Sequence, residues 1–397
     1  MHRILITGGS IAGNAAAWWL GRSGFDVTVV ERAPAFRDGG QNVDVRGVGR
    51  EVLRRMGLEQ AALDAGTGEE GLAWVDERGR TAAKVVAEPG TDGPTAEMEI
   101  LRGDLARLIY EPASQRVAYR FDERITAIDD RGGDVAVTFA GGRTETFDAV
   151  VVAEGVGSAT RELVFPGEND PRWMGMLCAY FTIPRADGDG RMWRWYNAPE
   201  RRSVTTRPDR KGTTRATLTI VQPPGGEHDW DAGRQKAYLH ERFADAGWQT
   251  PRVLAAMDGT KDFYFDALRQ VRMPCWSKGR VVLVGDAAWC VTPLGGIGAT
   301  LAIAGAYVLA GELALHDDPA AAFIAYERAM RPMVTQGQAV PSFLPRLAHP
   351  RTRLGIALAH GVLAILTRPV LSRLAARLFT SNPKEPDLSR YPRIGTA

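Results

Sequence analysis

Cysteine is scarce in this 397-residue sequence, which contains only Cys178, Cys275 and Cys290. None of them forms a C-x-x-C pair, and an odd number at such spacings argues against both a disulfide framework and a structural zinc site. The six histidines also lack the spacing of metal ligands. We therefore predict no metal site and a reducing, cytoplasmic environment.

Strong net charge is absent as well. The formal net charge is +2, the arginines are dispersed, and no run of lysine and arginine suggests a nucleic-acid partner. The apolar stretch 354–367 is shorter than the about 20 residues that a membrane-spanning helix needs, so membrane contact is not expected. We predict a helix there that bridges two domains, with an interfacial helix as the alternative. Because the first strand begins so early, no signal peptide is expected.

What the sequence does contain is a β-α-β pattern over its first 32 residues. An apolar strand is followed by the turn Gly8–Gly13, an apolar helix and a second strand that ends at Glu31. Gly8 allows a tight turn, Gly13 lets the helix pack close to the strand, and Glu31 is placed to bind a ribose diol. The middle glycine of the G-x-G-x-x-G motif is Ser10, whose small hydroxyl side chain can contact a phosphate. Backbone N–H groups at the helix N-terminus favour a pyrophosphate, so the pattern predicts dinucleotide binding.

The rest of the chain predicts a second domain. Strand patterns rich in Trp, Tyr and Thr between residues 172 and 265 favour an antiparallel sheet. We predict an α/β fold, with a Rossmann-like, three-layer dinucleotide-binding domain, an inserted antiparallel-sheet substrate domain and a C-terminal helical segment. The predicted boundaries are 1–71, 99–171 and 266–335 for the first domain, 72–98 and 172–265 for the substrate domain, and 336–397 for the C-terminal helices and tail.

Three separated segments together resemble one enzyme family. They are the N-terminal glycine turn with Glu31, the segment Leu283–Ala288 that ends a strand in Gly-Asp, and Val152–Gly155 between them. The combination is similar to the class A flavoprotein monooxygenases, the group that includes para-hydroxybenzoate hydroxylase. Within that group, Gly39–Asp44 and Ile100–Leu105 are similar to segments of the tetracycline-inactivating monooxygenases.

The resemblance implies FAD as the cofactor. In the family's pattern, Glu31 would bind the adenosine ribose, Arg102 the ribityl or phosphate region, and Asp286 a ribityl hydroxyl. The helix that follows the Pro/Gly loop would present its N-terminus to the isoalloxazine carbonyl edge, where partial positive charge stabilises a reduced flavin. The residues implied to bind FAD are Gly8, Ser10, Ile11, Ala12, Gly13, Glu31, Arg32, Arg37, Asp44, Arg102, Asp286, Gly295, Gly296 and Ile297.

The resemblance also implies an activity. NADPH or NADH would reduce the FAD, O2 would form a flavin hydroperoxide, and one oxygen atom would pass to a bulky aromatic or polyketide-like molecule in antibiotic modification or biosynthesis. Because the flavin carries this chemistry, no catalytic side chain is assigned. The chain departs from the family's pattern at Glu154, where an aspartate linked to NADPH is usual, and at Trp289 and Ile297, where polar residues are frequent.

Two other functions stay open as alternatives. A flavin-dependent halogenase would need a W-x-W-x-I-P motif, which the segment Trp193–Pro199 only imitates because it has no isoleucine and one residue too many. A flavin-binding module without turnover is the second alternative. No second nucleotide fingerprint distinguishes NADH from NADPH, and nothing in the sequence indicates an oligomeric state.

Several side chains are candidates for substrate contact. Trp193 and Trp195 alternate on one predicted strand and therefore share a face, while Tyr196 lies on the other. Ordinary sheet packing is the alternative for the tryptophans, and a buried core thiol is the alternative for Cys178. We expect the charged pairs at 69–70 and 201–202 to be solvated. The candidates are Gln41, Asn42, Cys178, Trp193, Trp195, Trp289 and Pro293.

Overall fold

The computed structural model describes residues 2–87, 96–368, 384–391 and 394. The strands are β1 (Arg3–Thr7), β2 (Asp26–Glu31), β3 (Asn42–Asp44), β4 (Gly71–Val75), β5 (Thr81–Val86), β6 (Glu99–Leu101), β7 (Ala118–Phe121), β8 (Ile125–Asp130), β9 (Val135–Phe139), β10 (Thr144–Phe147), β11 (Ala149–Val152), β12 (Arg172–Pro184), β13 (Trp193–Ala198), β14 (Arg202–Pro208), β15 (Thr213–Ile220), β16 (Tyr264–Gln270), β17 (Ser277–Lys278) and β18 (Val281–Leu283). The helices are α1 (Ile11–Arg22), α2 (Gly47–Arg55), α3 (Glu59–Asp64), α4 (Arg102–Ser114), α5 (Ala159–Val164), α6 (Ala232–Phe243), α7 (Thr250–Gly259), α8 (Asp286–Trp289), α9 (Gly298–Leu315), α10 (Pro319–Gln338), α11 (Leu344–Ala348) and α12 (Arg353–Leu366). The predicted mixed α/β fold is confirmed.

A six-stranded sheet is built on the N-terminal strands, in the order β17-β18-β11-β1-β2-β7. From β18 to β7 the strands are parallel, and only β17 is antiparallel at the edge. The residues of β11 are all buried, as a strand covered on both faces requires. Because the strands are parallel, the carboxyl ends of β1, β2, β11 and β18 meet at one edge of the sheet, where ligands of open α/β sheets bind.

A seven-stranded sheet is formed in the order β16-β12-β15-β14-β13-β4-β5. Helices α6 and α7 cover one of its faces through an apolar core that includes Leu239, Phe243 and Met257. The prediction of an antiparallel sheet holds for every pair except β4 and β13, which run parallel. Strand β16 crosses the predicted boundary at residue 266, since it pairs with β12 over Arg172–Tyr180.

Helix α9 lies in the core and packs against α1, α2 and α10. It is long and apolar enough to cross a membrane, but 78% of it is buried inside the protein, as is typical of a core helix. Near the end of the chain, Tyr391 packs on Gly311 of α9, where an added Cβ would lie 2.4 Å from the tyrosine ring. The Tyr391 hydroxyl also donates to Glu312 at 2.7 Å, so this distant residue helps to hold α9.

Helix α12 corresponds to the predicted C-terminal helix and packs mainly against β5 and β13, both in the seven-stranded sheet. Its outward face carries Leu354, Leu358 and Val362, which are all more than half exposed. The parts of the predicted tail at 369–383, 392–393 and 395–397 lie outside the described residues.

Candidate functional site

The glycine turn joins β1 to α1 with almost no free space around it. Gly8 has a φ of +103°, and a Cβ there would lie 2.5 Å from the Ala153 carbonyl oxygen. At Gly13 a Cβ would lie 1.8 Å from the Gly8 carbonyl oxygen. Ser10 precedes α1 in an extended conformation and makes no capping hydrogen bond with its side chain. The first turn of α1, which includes Ile11, Ala12 and Gly13, therefore keeps N–H groups free for an anion.

Glu31 is fixed at the end of β2 by two backbone groups. The Gly9 N–H donates to its Oε2 at 2.8 Å, and the Ala33 N–H donates to its Oε1 at 2.9 Å. Each carboxylate oxygen can accept further hydrogen bonds, so a ribose diol could bind without displacing either donor. Arg32 is exposed directly beside it.

Arg102 and Asp286 interact electrostatically across a cleft between α4 and α8. Both side chains are open to solvent although protein surrounds them on nearly all sides, which is the environment of a deep cleft. Burial raises the pKa of the Asp286 carboxyl, and the positive charge of Arg102 opposes that rise. Arg37, another exposed cation, lies near enough to Arg102 to lower its pKa further.

The loop before α4 is shaped around the Arg102 side chain. A Cβ at Gly40 would lie 2.5 Å from Arg102 Nε, and a Cβ at Gly103 would lie 1.7 Å from the Asp38 carbonyl oxygen. The Gly39 carbonyl accepts from Arg102 Nη2 at 3.3 Å, and the backbone N–H of Arg102 donates to the Gln41 carbonyl at 2.9 Å. The glycines of this loop therefore let Arg102 reach the cleft in one fixed direction.

The predicted Pro/Gly loop forms a turn directly before α9. Pro293–Gly295 is a short 3-10 turn, and Gly296 has a φ of +65°. The side chain of Ile297 packs into the notch at Gly337 of α10, where a Cβ would lie 2.8 Å from its Cδ1. The side chain of Ile297 therefore points away from the N-terminus of α9, where only its backbone remains. This explains how an apolar residue is tolerated at this position.

Glu154 is occupied by structural contacts. Its carboxylate accepts from Thr7 at 2.6 Å, Ser158 at 2.8 Å and both the backbone and the hydroxyl of Thr160 at 2.9 and 2.6 Å. It thus ties β1 to the N-terminus of α5. The glutamate side chain is one methylene longer than that of the family's aspartate, and it can therefore reach all of these groups.

Arg161 is a residue that sequence reasoning missed. Its buried guanidinium donates to the Ala287 carbonyl and to the Val156 carbonyl, both at 3.1 Å. It therefore anchors the segment that carries Asp286. Nothing in the local pattern signals this role, because the partner is 126 residues away.

One face of the seven-stranded sheet carries a cross-strand row of residues that ends near Arg102. Starting from Trp195, the strand register gives one residue on each neighbouring strand that lies directly opposite the previous one. The last residue of this row, Tyr264, interacts electrostatically with Arg102. Residues directly opposite each other on paired strands point to the same side. The row is Trp195, Thr205, Thr217, Tyr180 and Tyr264. Sequence reasoning missed all of these except Trp195, because the register of distant strands is not visible locally.

Trp193 and Trp195 share this face, as predicted, with ring centroids 5.5 Å apart. Both indole N–H groups are buried, and neither has an acceptor among the residues that the structure describes. Tyr196 points to the opposite face and packs in the core under α6 and α7. Tyr180 and Tyr264 stack at the other end of the row, with ring centroids 6.4 Å apart.

The structure corrects one substrate candidate, Trp289, and supports the alternative of a buried core thiol for another, Cys178. Trp289 is 1% exposed and packs against Trp276, with ring centroids 4.3 Å apart, and against Gly305 of α9. It is a core residue because α8 turns it away from the cleft. Cys178 lies on the predicted face of the sheet, but it is only 2% exposed within an apolar cluster that reaches Leu294.

A buried charge cluster adjoins Trp193. The Arg207 guanidinium lies over the Trp193 ring, 4.3 Å from its centroid, and donates to Glu69 at 2.9 Å and to Glu99 at 2.5 Å. Asn42 also donates to Glu99, at 2.5 Å. The predicted substrate candidate Asn42 and the predicted FAD-binding residue Asp44 therefore lie on β3 at this cluster. Asp44 itself pairs with Arg46 at 2.8 Å.

The expectation that the charged pairs at 69–70 and 201–202 are solvated is wrong for one member of each. Burial raises the pKa of Glu69 to about 8, with the Glu99 charge adding to the rise and Arg207 opposing it. Burial is also the largest single effect on Glu99, but the charge of Arg207 and the hydrogen bonds from Glu69, Asn42 and Thr67 together outweigh it and lower the pKa of that carboxyl. Arg202 is 5% exposed and pairs with Asp245 at 2.6 Å.

The fold and the cleft together define an FAD-binding oxidoreductase. The chain belongs to the FAD binding domain family, which matches residues 1–336, and it is a class A FAD-dependent monooxygenase. An uncharacterized protein of Mycobacterium tuberculosis is 38% identical over 342 residues, which are 85% of this chain and 92% of the relative. The FAD-dependent monooxygenase asL6 of Sarocladium schorii is 32% identical over 420 residues, covering 99% of this chain and 98% of the relative.

A solved structure agrees with these relatives. The tetracycline destructase Tet(55) superimposes with a TM-score of 0.80 at 30% sequence identity, over 92% of this chain and 96% of that chain. These relatives do not favour the halogenase alternative, and they identify the protein as an enzyme rather than a passive flavin module. Within the described residues, no group of three or more His, Cys, Asp and Glu side chains is arranged to hold a metal ion.

FAD is the cofactor of this family, and the residues present fit it. Gly8 and Gly13 keep the turn tight against the protein's own backbone, and the uncapped first turn of α1 offers N–H groups to a pyrophosphate. Glu31 could accept hydrogen bonds from a ribose, and the cleft between Arg102 and Asp286 offers a cation and a carboxylate for the phosphate and ribityl groups. When bound, FAD supplies the redox and oxygen-transfer chemistry.

Proposed function

We propose that this protein is an NAD(P)H-dependent monooxygenase that inserts one oxygen atom from O2 into a bulky aromatic or polyketide-like molecule. The observation that carries the proposal is the aromatic sheet face whose cross-strand row ends near Arg102. Such a face, with two tryptophans and two tyrosines, offers a flat, largely apolar wall for a fused-ring substrate. The name of one structural relative, a tetracycline destructase, supports the same substrate class.

In this proposal, the protein's own residues bind and orient the cofactor. The N-terminus of α1 would hold the pyrophosphate, Glu31 would accept from the adenosine ribose, and Asp286 would accept from a ribityl hydroxyl. Arg102 would donate to the phosphate or ribityl region. The N-terminus of α9 would direct its partial positive charge at the isoalloxazine carbonyl edge, which favours the negative charge of the reduced ring.

The substrate would lie between the cofactor and the seven-stranded sheet. The partly exposed rings of Trp193 and Trp195 would pack against its ring system. Pro293 and Gln41 lie on loops at the edge of this space. The closed wall would also exclude water from the reacting atoms.

We further propose that the three-layer dinucleotide-binding part comprises the six-stranded sheet with α1, α4 and α9, and that the seven-stranded sheet is the inserted substrate domain. The separate apolar cores of the two sheets support this division. On this basis, the boundary predicted at residue 266 belongs after the end of β16, at Gln270.

Stopped-flow spectroscopy tests the proposed function. The FAD-loaded protein is mixed anaerobically with NADPH or NADH, with and without polycyclic aromatic candidates, and then with O2. We expect bleaching of the flavin absorbance that a true substrate accelerates, followed by a product that carries one atom of ¹⁸O from ¹⁸O2. Failure of both nucleotides to bleach the flavin would contradict the proposal.

A further inference from the structure

A cavity of about 350 Å³ lies at one end of the seven-stranded sheet, where its loops meet the segment after α3. Three arginines line it: Arg185 from the loop after β12, Arg191 before β13, and Arg210 from the β14–β15 hairpin. Its lining differs from that of the cleft at Arg102 and Asp286. A cavity with this concentration of guanidinium groups has the chemistry of an anion site.

The charge of the cavity is largely uncompensated. Arg185 donates to the Gly190 carbonyl at 3.0 Å and Arg210 donates to the Asp64 carbonyl at 2.9 Å. Within the described part of the chain, neither guanidinium has a carboxylate within 4.0 Å. Backbone carbonyls thus orient these two cations without neutralising them, so each keeps donors for a ligand.

The carboxylates near the cavity do not cancel its charge. Asp209 lines the wall, but its carboxylate is buried and pairs with Arg215 at 3.2 Å. Glu70 pairs with Arg191 at 3.3 Å, and both of these side chains are more than half exposed. An exposed ion pair of this kind contributes little free energy, so Arg191 can exchange Glu70 for a stronger anion.

Two of the guanidinium groups, those of Arg191 and Arg210, lie close to Gly68. Gly68 has a φ of +73°, and an added Cβ there would lie 3.1 Å from Arg210 Nε and 3.2 Å from Arg191 Nη2. Two like charges that flank one position repel each other, and a bound anion between them removes that repulsion. The backbone at Gly68 therefore favours a site for a multiply charged anion.

The cavity is connected to the flavin side of the protein. Lys211, next to Arg210, donates to Asp104 of α4 at 2.6 Å, and α4 begins at Arg102. Thr67, on the cavity wall, donates to Glu99 at 2.7 Å, and Glu99 begins the strand that leads into α4. The cavity is therefore linked by direct contacts to the first turn of α4, the helix that carries Arg102.

We propose that this cavity binds phosphate groups of the reduced pyridine dinucleotide, an inference that rests on the proposed NAD(P)H dependence. The chain has no second glycine fingerprint for a nucleotide, so side chains must hold its phosphates. Guanidinium groups do this well because they donate two parallel hydrogen bonds to a phosphate. The positive cavity also attracts the anionic nucleotide from solution.

Two titrations test the cavity on the FAD-loaded protein and on its Arg185→Gln and Arg210→Gln variants. Isothermal titration with ADP and with inorganic pyrophosphate measures binding without any reaction. Stopped-flow flavin reduction at increasing NADPH concentration yields a dissociation constant and a limiting rate. We expect each variant to weaken ADP binding and raise the dissociation constant of NADPH at least fivefold, with the limiting reduction rate unchanged.

Arg328→Gln, which removes an exposed arginine from α10, is the matched control and should leave both constants unchanged. Dissociation constants for NADPH within twofold of the parent in both variants would overturn the nucleotide assignment. Binding of pyrophosphate without binding of ADP would also overturn it and would indicate a free-phosphate site. If no nucleotide reduces the parent flavin, the proposed function fails, and the ADP titration alone then decides the cavity: retained binding in the variants overturns the site.

Discussion

Glu69 lies with its buried carboxyl against the Arg207 guanidinium, 2.9 Å from Arg207 Nε, and that guanidinium lies over the ring of Trp193. The same guanidinium also donates a hydrogen bond to Glu99, so two carboxyl groups share one cation. Burial and the neighbouring negative charge hold the pKa of Glu69 at about 8, while Glu99 stays ionised. The cluster is therefore satisfied when one of the two carboxyls keeps its proton.

Glu69→Gln should change how stability depends on pH. The native protein keeps the Glu69 proton up to a pKa of about 8, whereas the unfolded chain releases it near its ordinary value of 4.5. The free energy of unfolding therefore falls as pH rises through this window, by at most about 1.4 kcal/mol per pH unit. The glutamine variant should lose this part of the slope. Apparent melting temperatures at pH 5, 6.5 and 8 measure it.

The control for this experiment is Glu111→Gln, because Glu111 is an exposed carboxylate on α4. It should keep the slope of the parent protein. An unchanged slope in Glu69→Gln would mean that Glu69 does not retain its proton in the folded state.

Asp286→Ala should purify with little or no flavin. The substitution removes the carboxylate that faces Arg102 across the cleft and leaves the cation without its counterpart. Flavin absorbance per protein measures the loss, and circular dichroism checks the fold. The exposed Asp129→Ala should retain full colour. A fully yellow Asp286→Ala protein would show that the cofactor lies elsewhere.

Gly13→Ala should fail to fold or lose the cofactor. The new methyl group would lie 1.8 Å from the Gly8 carbonyl oxygen, a contact that forces the turn apart at a cost of several kcal/mol, well above the about 1–3 kcal/mol of ordinary overpacking. Gly361→Ala is the matched control, since nothing lies within 4 Å of its position in α12. It should raise stability by about 0.5–1 kcal/mol. Soluble yield and thermal melting distinguish the two variants, and a stable, yellow Gly13→Ala protein would contradict this account of the turn.

Arg161→Met should weaken flavin binding without removing any proposed flavin contact. The substitution leaves the carbonyls of Val156 and Ala287 without their donor, which costs about 1–3 kcal/mol for each buried group. Arg161 is a positioning residue, so Arg161→Lys should restore part of the affinity. Titration of the apoprotein with FAD measures the dissociation constant. Equal affinity in Arg161→Met and the parent would rule out this role.

Trp195→Ala and Trp193→Ala should weaken binding of an aromatic substrate about tenfold, because each variant removes a ring from the face that would contact it. Substrate titration followed by flavin absorbance measures the effect. Trp276→Phe is the core control: it should lower the melting temperature and leave substrate affinity unchanged, since Trp276 is 1% exposed. If the core variant alone weakened binding, the assignment of the aromatic face would be wrong.

The unit of β1, the glycine turn, α1 and β2 could be predicted from the sequence, because nucleotide binding constrains consecutive residues. A phosphate needs a strand, a glycine turn and a helix within about a dozen positions, and Gly8, Gly13 and Glu31 meet that need locally. The alternation that gives Trp193 and Trp195 one face is likewise a local property.

The environments of Glu69 and Trp289 could not be predicted in this way, because they depend on contacts between distant segments. Glu69 resembles a solvated loop residue until Arg207, 138 positions later, covers it. Trp289 follows the Gly-Asp turn and resembles a lining residue, yet Gly305 and Tyr326 on two later helices enclose it. Register and helix packing decided both cases, and neither is encoded within a short window.

The contact of Tyr391 with Gly311 has a consequence for the order of events during synthesis. Tyr391 follows Glu312 by 79 residues, so α9 has long left the ribosome when the residue that seats against it is made. Until then, α9, whose N-terminus would lie at the proposed flavin site, lacks one of the residues that pack against its side. Firm uptake of the coenzyme should therefore follow release of this late segment, rather than accompany translation of the N-terminal half.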